Sequence, residues 1–355
     1  MDSLGNRLDQ RYSDAVDVIV GIDIGGANLK FASESKQAHS CFFPMWRQPE
    51  TLKDSLCSAL GMYQDVTAIA VVMTGELADC FIDRSEGVFH IVDHTRRAAA
   101  ELGINACYFY GVDGLFREHV VADDVDRIAA ANWHALGSYV SQSIAPNALL
   151  IDIGSTTTDI IPIRNGKVAT KAQTDYDRLC EGSLVYVGCQ RTPVCGLCSW
   201  MTYQGNRIPV MNEFFATIDD ARVMLGFVPE DANDFETADG KARTKEFASN
   251  RLARMIGLDR RNVSLDQATR IAEQVVSAAQ QQIAYSVQRL LSKTAFKPTI
   301  YVISGHGNDL LKIPREVEVI TMTKQMGDEA ARGAPSYAAA KQLRRFLESN
   351  SNHGL

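Results

Sequence analysis

The chain has 355 residues, of which 46% are hydrophobic and 22% charged, and its formal net charge is −7. These values are typical of a globular protein of two or three domains. The acidic balance argues against nucleic acid or an anionic membrane as a partner, and no run of about 18 apolar residues predicts a membrane-spanning helix. The eight cysteines are scattered along the chain, which favours reduced thiols and a cytoplasmic location.

The N-terminal region begins with a polar tail and continues with a strand–turn–strand pattern. Residues 1–15 lack an apolar core and predict a disordered tail. An apolar run over 16–24 enters the sequence Asp23-Ile-Gly-Gly-Ala-Asn-Leu-Lys30, and a second extended run covers 29–32. A Gly-rich turn lets backbone N–H groups approach phosphate oxygens without a Cβ in the way. Asp23 is a candidate Mg²⁺ ligand and catalytic group, and the candidate phosphate ligands are Gly25, Gly26, Asn28 and Lys30.

A further strand, over 68–73, leads into Thr74-Gly-Glu-Leu-Ala-Asp79. Glu76 and Asp79 are candidate catalytic carboxylates, and the alternative is that they cap the helix that follows. An Ala-rich helix is predicted over 129–140, and Pro146-Asn147 marks a domain boundary.

The second half opens with a copy of the first motif. An apolar run over 148–153 enters Asp152-Ile-Gly-Ser-Thr-Thr-Thr-Asp159, and a strand follows over 160–163. Asp152 is again a candidate for Mg²⁺ and catalysis, and Asp159 is a candidate catalytic carboxylate. The candidate phosphate ligands of this turn are Gly154, Ser155, Thr156 and Thr157. The repetition predicts two similar half-molecules that face one ligand.

The segment after the second motif holds an arginine and a group of cysteines. Arg191 is a candidate to bind a phosphate oxygen or a carboxylate. Cys195-Gly-Leu-Cys198, with Cys189 and Cys180 nearby, resembles half of a zinc site. Because a second close pair is missing from the sequence, packed or solvent-facing thiols are favoured and zinc is not expected. Whether Cys189, Cys195 and Cys198 bind metal stays open.

The C-terminal third contains a long helix, a strand and a final helix. Ser264 and Gln267 form a capping-box pattern. The helix that follows is predicted to bury one face, made of Ile271, Val275, Ile283, Val287 and Leu290. A strand over 298–304 runs into candidate nucleotide-binding residues, which are Ser304, Gly305, His306 and Gly307. A helix is predicted over 327–343 with Pro335 at a kink or start, and residues 348–355 are a predicted disordered tail.

The two Gly-rich motifs enter strands, whereas the turns of a P-loop and of a G-x-G-x-x-G fingerprint enter helices. Together with the segment 303–309, the motifs resemble the actin-like ATPase superfamily. In this resemblance 23–30 and 152–159 are its two phosphate motifs, and 303–309 is its adenosine motif. The implied fold is an α/β, ribonuclease H-like two-domain fold with an interdomain cleft. Domain I is expected at 16–147 plus 329–347, and domain II at 148–328.

Three segments indicate one particular branch of this superfamily. Residues 74–79, 152–159 and 186–194 are similar to the hydantoinase/oxoprolinase-related branch, and most closely to its family linked to tetrahydromethanopterin C1 transfer. That family implies a transferase of methanofuran biosynthesis. It joins (5-aminomethylfuran-3-yl)methyl diphosphate to the phenol of γ-glutamyltyramine, forming an aryl ether and releasing diphosphate. Small-molecule substrates and Mg²⁺ are therefore expected, whereas the use of ATP or ADP and the oligomeric state stay open.

Two alternative functions follow from the fold that the motifs imply. One is an ATP-dependent small-molecule kinase or an oxoprolinase-like amidohydrolase, which would release ADP when its substrate is present. The other is a non-catalytic, nucleotide-dependent switch protein, which would polymerise or bind a partner without turnover.

Overall fold

The computed structural model describes residues 18–294 and 296–351. The predicted tail over 1–15 lies outside these ranges, as do the last four residues of the predicted tail over 348–355. For 348–351 the prediction of disorder is wrong, because the final helix continues through Ser351. No proline or glycine follows Leu347 before Gly354 to stop this helix.

Among the described residues, 18–144 and 323–351 form one compact unit. Its strands are β1 (Val18–Ile24), β2 (Asn28–Ser33), β3 (Ala38–Phe42), β4 (Val66–Met73), β5 (Ala106–Tyr110) and β6 (Phe116–Arg117). Its first helices are α1 (Leu52–Leu60), α2 (Arg84–Glu101), α3 (Val125–Ile128) and α4 (Asn132–Ser143). The strands form one sheet in the order β3-β2-β1-β4-β5-β6. Apolar side chains of β1, β2 and β4 form the core of this unit with those of α1 and α2.

The second compact unit spans Ala145 to Met322. Its strands are β7 (Ala148–Ile153), β8 (Thr158–Arg164), β9 (Lys167–Val168), β10 (Leu184–Val185), β11 (Trp200–Tyr203), β12 (Asn206–Pro209), β13 (Ile300–Gly305) and β14 (Glu318–Thr321). Its helices are α5 (Asp175–Glu181), α6 (Val194–Leu197), α7 (Ile218–Leu225), α8 (Lys245–Arg254) and α9 (Leu265–Thr294). The last three helices of the chain, from Thr323 onwards, belong to the first unit. They are α10 (Met322–Met326), α11 (Asp328–Arg332) and α12 (Ala334–Ser351). The main sheet has the order β10-β8-β7-β13-β14, with β9 beside β8.

Each main sheet contains the same five-strand arrangement. In the first unit β1 is antiparallel to β2 and parallel to β4. In the second unit β7 is antiparallel to β8 and parallel to β13. The repeated topology agrees with the predicted α/β, actin-like class. The interdomain cleft and the domain bounds derived from the resemblance stay predictions.

Helix boundaries follow local chemistry. Ser264 and Gln267 form the predicted capping box, in which the Gln267 N–H donates to Ser264 Oγ at 3.3 Å and the Ser264 N–H donates to Gln267 Oε1 at 2.8 Å. The face of α9 predicted to be buried is largely buried. The predicted helix over 129–140 begins only at Asn132, because Ala130 has a left-handed φ of 47° that interrupts it. Pro335 lies in the first turn of α12, where a proline is tolerated.

Within 18–294 and 296–351, no helix is both long enough and apolar enough to cross a membrane.

Candidate phosphate-binding site

The two Gly-rich motifs form turns of the same length and register. Asp23 lies opposite Lys30 in the β1–β2 ladder, and Asp152 lies opposite Asp159 in the β7–β8 ladder. The Gly25 N–H donates to the Asn28 carbonyl at 3.0 Å, and the Gly154 N–H donates to the Thr157 carbonyl at 2.9 Å. The duplication seen in the sequence is therefore also a duplication of backbone geometry.

The carbonyl groups of the first turn are occupied by the segment that follows β3. The Phe43 N–H donates to the Ala27 carbonyl and the Met45 N–H to the Gly26 carbonyl, each at 2.9 Å. In the described parts of the chain, no group accepts a hydrogen bond from the N–H of Gly26 or Ala27. The first turn thus offers backbone donors, which is the property an anion needs.

The second turn has the same division between acceptors and donors. The Ser155 carbonyl accepts from the N–H groups of Gln190 at 3.0 Å and Arg191 at 2.9 Å. Among residues 18–294 and 296–351, the N–H groups of Ser155 and Thr156 have no acceptor. A Cβ at Gly188 would lie 2.4 Å from the backbone of Thr156, so only glycine lets this supporting segment pack against the turn.

Glu76 lies beside the first turn. The N–H groups of Thr74 and Gly75 donate to the Ile24 carbonyl at 2.9 and 3.0 Å, which holds the segment after β4 against the end of β1. The Glu76 side chain is only 1% exposed. A buried carboxylate at the carboxyl end of parallel strands is in the usual position of a functional group in an α/β sheet.

The alternative that Glu76 or Asp79 caps the next helix does not hold for α2. Asp83 is its N-cap residue, and its Oδ1 accepts from the Glu86 N–H at 2.9 Å. Asp79 is exposed. The structure therefore places Glu76, and not Asp79, in a buried position next to the turn.

The Gly305–Gly307 segment of the second unit has the position that Thr74–Glu76 has in the first. The His306 N–H donates to the Ile153 carbonyl at 3.1 Å. Gly305 has a φ of 79°, and a Cβ there would lie 2.1 Å from the Ile153 carbonyl oxygen. Packing on β7 alone requires this glycine, so its presence does not by itself indicate a nucleotide.

A buried serine hydroxyl lies beside Asp152 and has no hydrogen-bond partner among the described residues. Ser304 lies directly opposite Asp152 in the parallel β7–β13 ladder, so both side chains are on the same face of the sheet. The two side chains are buried, and Ser304 Oγ has no hydrogen-bond partner among the described residues. A buried hydroxyl without a partner costs roughly 1–3 kcal/mol, so this position is suited to a bound water or ligand atom.

Asp159, a candidate catalytic carboxylate, is held in an ion pair. Arg178 donates from one guanidinium nitrogen to Asp159 Oδ1 at 2.7 Å and to the Ser183 carbonyl at 2.9 Å, and both charged side chains are buried. This ion pair holds the Asp159 carboxylate in place and occupies one of its oxygens. By contrast, Asp23 faces Lys30, whose Nζ lies 3.9 Å from Asp23 Oδ2.

The sequence reasoning missed a buried arginine that links the segments around the second turn. Arg222 donates to both oxygens of Asp309, at 2.9 and 2.7 Å. It also donates at 2.8 Å to the carbonyls of Cys189 and His306. Arg222 and Asp309 are 87 residues apart in sequence. No local pattern distinguishes Arg222 from the surface arginines, so tertiary contacts were needed to find it.

Cys189 and Cys198 have the environment of packed thiols, whereas Cys195 is half-buried and Cys180 is exposed. Burial raises the pKa of Cys189 to about 12 and that of Cys198 to about 11. With no metal ion bound, both thiols therefore stay protonated at neutral pH. In the part of the chain that the structure describes, no group of three His, Cys, Asp or Glu side chains is arranged for a metal ion.

Arg191 is exposed, although desolvation lowers the pKa of its guanidinium.

Two depressions of about 270 and 460 Å³ lie elsewhere in the second unit, beside α8 and α9. Neither is lined by a predicted site residue.

Comparison with known proteins agrees with these motifs. The hydantoinase/oxoprolinase family model matches residues 67–345. A protein from Methanocaldococcus jannaschii, named (4-{4-[2-(gamma-L-glutamylamino)ethyl]phenoxymethyl}furan-2-yl)methanamine synthase, is 34% identical over 93% of this chain and 99% of its own length. A protein of the same name from Methanococcus vannielii is 31% identical over 60% of this chain and 98% of its own.

Among solved structures, an inorganic polyphosphate/ATP-glucomannokinase from Arthrobacter sp. strain KM is 13% identical, with a TM-score of 0.41 over 93% of this chain and 99% of that one. A TM-score this low adds no evidence on the fold beyond the strand order described above.

Proposed function

We propose, for a chain that belongs to the hydantoinase/oxoprolinase family, a transferase reaction of methanofuran-type cofactor synthesis. The enzyme condenses (5-aminomethylfuran-3-yl)methyl diphosphate with the phenol of γ-glutamyltyramine, in the cytoplasm. The observation that carries this proposal is the 34% identity to a named synthase across 93% of this chain and 99% of that relative. The two duplicated turns supply a physical reason for a phosphate-bearing substrate.

The reaction breaks one bond and forms one bond. The phenol oxygen bonds to the methylene carbon of the furan substrate, and the bond from that carbon to the diphosphate oxygen breaks. The electron pair leaves with diphosphate, and a base takes the phenol proton. The catalyst must therefore stabilise departing negative charge, which preorganised donors do well.

The turn residues suit the departing diphosphate. Gly25, Gly26 and Asn28 form the first turn with Lys30 as a cation beside it, and Gly154 to Thr157 form the second. Backbone N–H groups without protein acceptors in the described chain, at Gly26, Ala27, Ser155 and Thr156, are available for phosphate oxygens. Arg191 adds a second cation for the diphosphate or for the acceptor's carboxylate.

The residues at the second turn fit Mg²⁺. Mg²⁺ is usually held by one or two carboxylates, substrate phosphates and waters, and here the buried Asp152 carboxylate lies beside the Ser304 hydroxyl that has no partner in the described chain. When bound, Mg²⁺ would neutralise charge on the leaving diphosphate. Asp23 is the weaker candidate because Lys30 faces it at 3.9 Å.

Glu76 is the general base that we favour. It is buried at the first turn, whereas Asp79 is exposed and Asp159 is paired with Arg178. Removing the phenol proton as the carbon–oxygen bond forms makes the acceptor a better nucleophile.

The experiment that tests this function uses the purified full-length chain with Mg²⁺. The furan diphosphate and γ-glutamyltyramine are supplied together, and the ether product is measured by mass spectrometry alongside released diphosphate. Product formation without added ATP supports the proposal. Absence of the ether, or its dependence on ATP with ADP release, would contradict it and favour the kinase or amidohydrolase alternative.

A further inference from the structure

The buried Arg222 side chain joins the two segments that support the second turn. Arg222 lies on α7, is 2% exposed, and donates at 2.8 Å to the carbonyls of Cys189 and His306. The N–H groups of the same two residues donate to consecutive carbonyls at the entry of the turn, Cys189 to Gly154 at 2.9 Å and His306 to Ile153 at 3.1 Å. Cys189 and His306 are therefore each bonded to the turn on one side and to Arg222 on the other.

The two supporting segments also contact each other over Ile153. A Cβ at Gly307 would lie 2.3 Å from Ile153 Cγ2 and 3.0 Å from Cys189 Cβ. Only glycine at position 307 lets the two segments approach so closely. A small shift of either segment is thus transmitted to the backbone that enters the turn.

Asp309 fixes the direction of the guanidinium group. Its two oxygens accept from Nε and from one terminal nitrogen of Arg222, at 2.9 and 2.7 Å, which makes a bidentate pair. The Asp309 carbonyl in turn accepts from Gln280 Nε2 of α9 at 2.8 Å. Lysine could not take over these contacts, since a single ammonium lacks the planar fork of donors.

Stability alone is a weak reason for a buried ion pair of this kind. Both charges must be taken out of water, and well-packed apolar side chains of similar volume often stabilise a fold as well or better. What apolar side chains do not supply is a donor for the carbonyls of Cys189 and His306. The pair therefore contributes a fixed geometry that a hydrophobic core would not.

We propose that Arg222, oriented by Asp309, is a positioning residue of the phosphate site. By fixing the two supporting segments, it keeps the N–H groups of Ser155 and Thr156 in the arrangement that phosphate oxygens require. It acts through the backbone, since its donors are bound by Asp309 and by the two carbonyls. This role rests on the proposed function, in which the second turn binds the diphosphate of the donor substrate.

Isothermal titration of full-length variants with Mg²⁺ and inorganic diphosphate tests this role. Arg222→Met should lower the affinity roughly 10- to 100-fold, the usual loss when a partner that orients a binding group is removed. The double variant Arg222→Met with Asp309→Leu replaces both charges by apolar side chains, so it leaves no lone buried charge and should regain stability. Its affinity should nevertheless stay as low as that of Arg222→Met, because the two carbonyls still lack their guanidinium donor.

Arg251→Met is the matched control for the loss of a buried arginine. Arg251 is a fully buried residue of the same unit, and it donates to Asp220 at 2.7 Å and to Asp239 at 2.9 Å. Neither aspartate belongs to the segments that support the turn. Arg251→Met should lower the melting temperature and leave the affinity for diphosphate unchanged.

Hydrogen exchange of the unliganded protein gives a second readout. The amides of Cys189 and His306 should exchange faster in the double variant than in the wild type, because the segments that carry them are no longer held. In Arg251→Met these two amides should keep their wild-type rates.

The wild-type result distinguishes failure of this role from failure of the proposed function. If the wild type binds Mg²⁺ with diphosphate and makes the ether, but the double variant keeps the wild-type affinity within about threefold, the inference is wrong and the proposed function stands. If the wild type binds no diphosphate and makes no ether, the proposed function fails and this inference falls with it.

Discussion

Asp23 and Asp152 occupy equivalent positions, but their neighbours give them different charge environments. Asp23 has Lys30 opposite it on one side and the apolar Val72 on the other. Asp152 has Asp159 on one side, already paired with Arg178, and Ser304 on the other. The first aspartate therefore has a protein cation opposite it in the ladder, whereas the second has a hydroxyl group that could hold a metal ligand or its water.

We predict that Asp152→Asn removes metal binding and that Asp23→Asn does not. Mn²⁺ titrated in the presence of inorganic diphosphate and followed by electron paramagnetic resonance measures this without catalysis. Ser304→Ala should weaken binding by roughly 10- to 100-fold, the usual effect of a group that positions a metal ligand or its water. Equal loss of Mn²⁺ affinity in Asp23→Asn and Asp152→Asn would contradict the asymmetry.

Glu76→Gln should lower kcat by roughly 10²- to 10⁴-fold, the contribution typical of a general base. Glutamine keeps the volume of the buried side chain, so the melting temperature and diphosphate binding should change little. Asp79→Asn is the control and should keep nearly full activity, since Asp79 is exposed. An acceptor with a more acidic phenol should lose less rate on Glu76→Gln, and an equal loss for both phenols would rule out proton removal as the role of Glu76.

Individual site residues could be predicted from the sequence where their role depends on their immediate neighbours in the chain. Asp152 and the turn after it are recognisable because aspartate, glycine and hydroxyl side chains follow one another. Arg178 and Arg222 are not recognisable, because each acquires its role from a partner brought to it by folding, 19 and 87 residues away.

Among the elements, strands and helices with a complete local pattern were predictable. Ser264 and Gln267 define the start of α9 because the capping bonds join residues three apart. The start of α4 was predicted three residues early, since the alanines over 129–131 favour a helix and nothing local indicates the left-handed conformation of Ala130. The start of α4 is therefore set by tertiary packing and not by the helix propensity of these alanines.

Helix α2 carries a histidine pair that links it to α1. His94 is buried, its Nδ1 accepts from the Lys53 N–H at 3.3 Å, and its ring stacks on His90 with centroids 4.1 Å apart. Burial, and then the neighbouring His90, lower the pKa of His94 below its usual value. The folded state therefore favours neutral His94, with Nδ1 as an acceptor.

The pKa of His94 predicts that acid destabilises the contact between α1 and α2. The folded pKa is lower than the unfolded value near 6.5, so the unfolded state binds more protons as pH falls. This stabilisation is present above about pH 6.5 and is lost as pH falls from there through the lower folded pKa. His94→Asn keeps an acceptor near the position of Nδ1 and cannot be charged. Its free energy of unfolding should fall less between about pH 7.5 and 5.5 than that of the wild type, as measured by urea denaturation.

His119→Asn is the matched control for that measurement, since His119 is an exposed histidine of the same unit. It should show the wild-type dependence on pH. An equally steep fall for His94→Asn and the wild type would show that His94 does not carry the effect.

For the whole molecule, the duplicated motif correctly indicated two units with the same arrangement of strands. Short-range pairing such as β7 with β8 follows from the turn between them. The neighbour of β7 on its other side is β13, about 150 residues further along the chain; only the family resemblance could predict that pairing, because the intervening helices and the β11–β12 hairpin conceal it.

The duplicated turns also predict which ligand stabilises the complete chain. If they hold a diphosphate, Mg²⁺ with inorganic diphosphate should raise the melting temperature more than Mg²⁺ with ATP. At a ligand concentration about 100 times Kd the stabilisation is about 2.7 kcal/mol, enough to measure by thermal denaturation. Mg²⁺ with sulfate is the control for ionic strength. A larger shift with ATP would indicate that the Gly305–Gly307 segment binds a nucleotide base and would favour the ATP-dependent alternative. Because the contact with Ile153 already requires a glycine at 305, that glycine does not favour ATP, and the larger shift with diphosphate is expected from the proposed function.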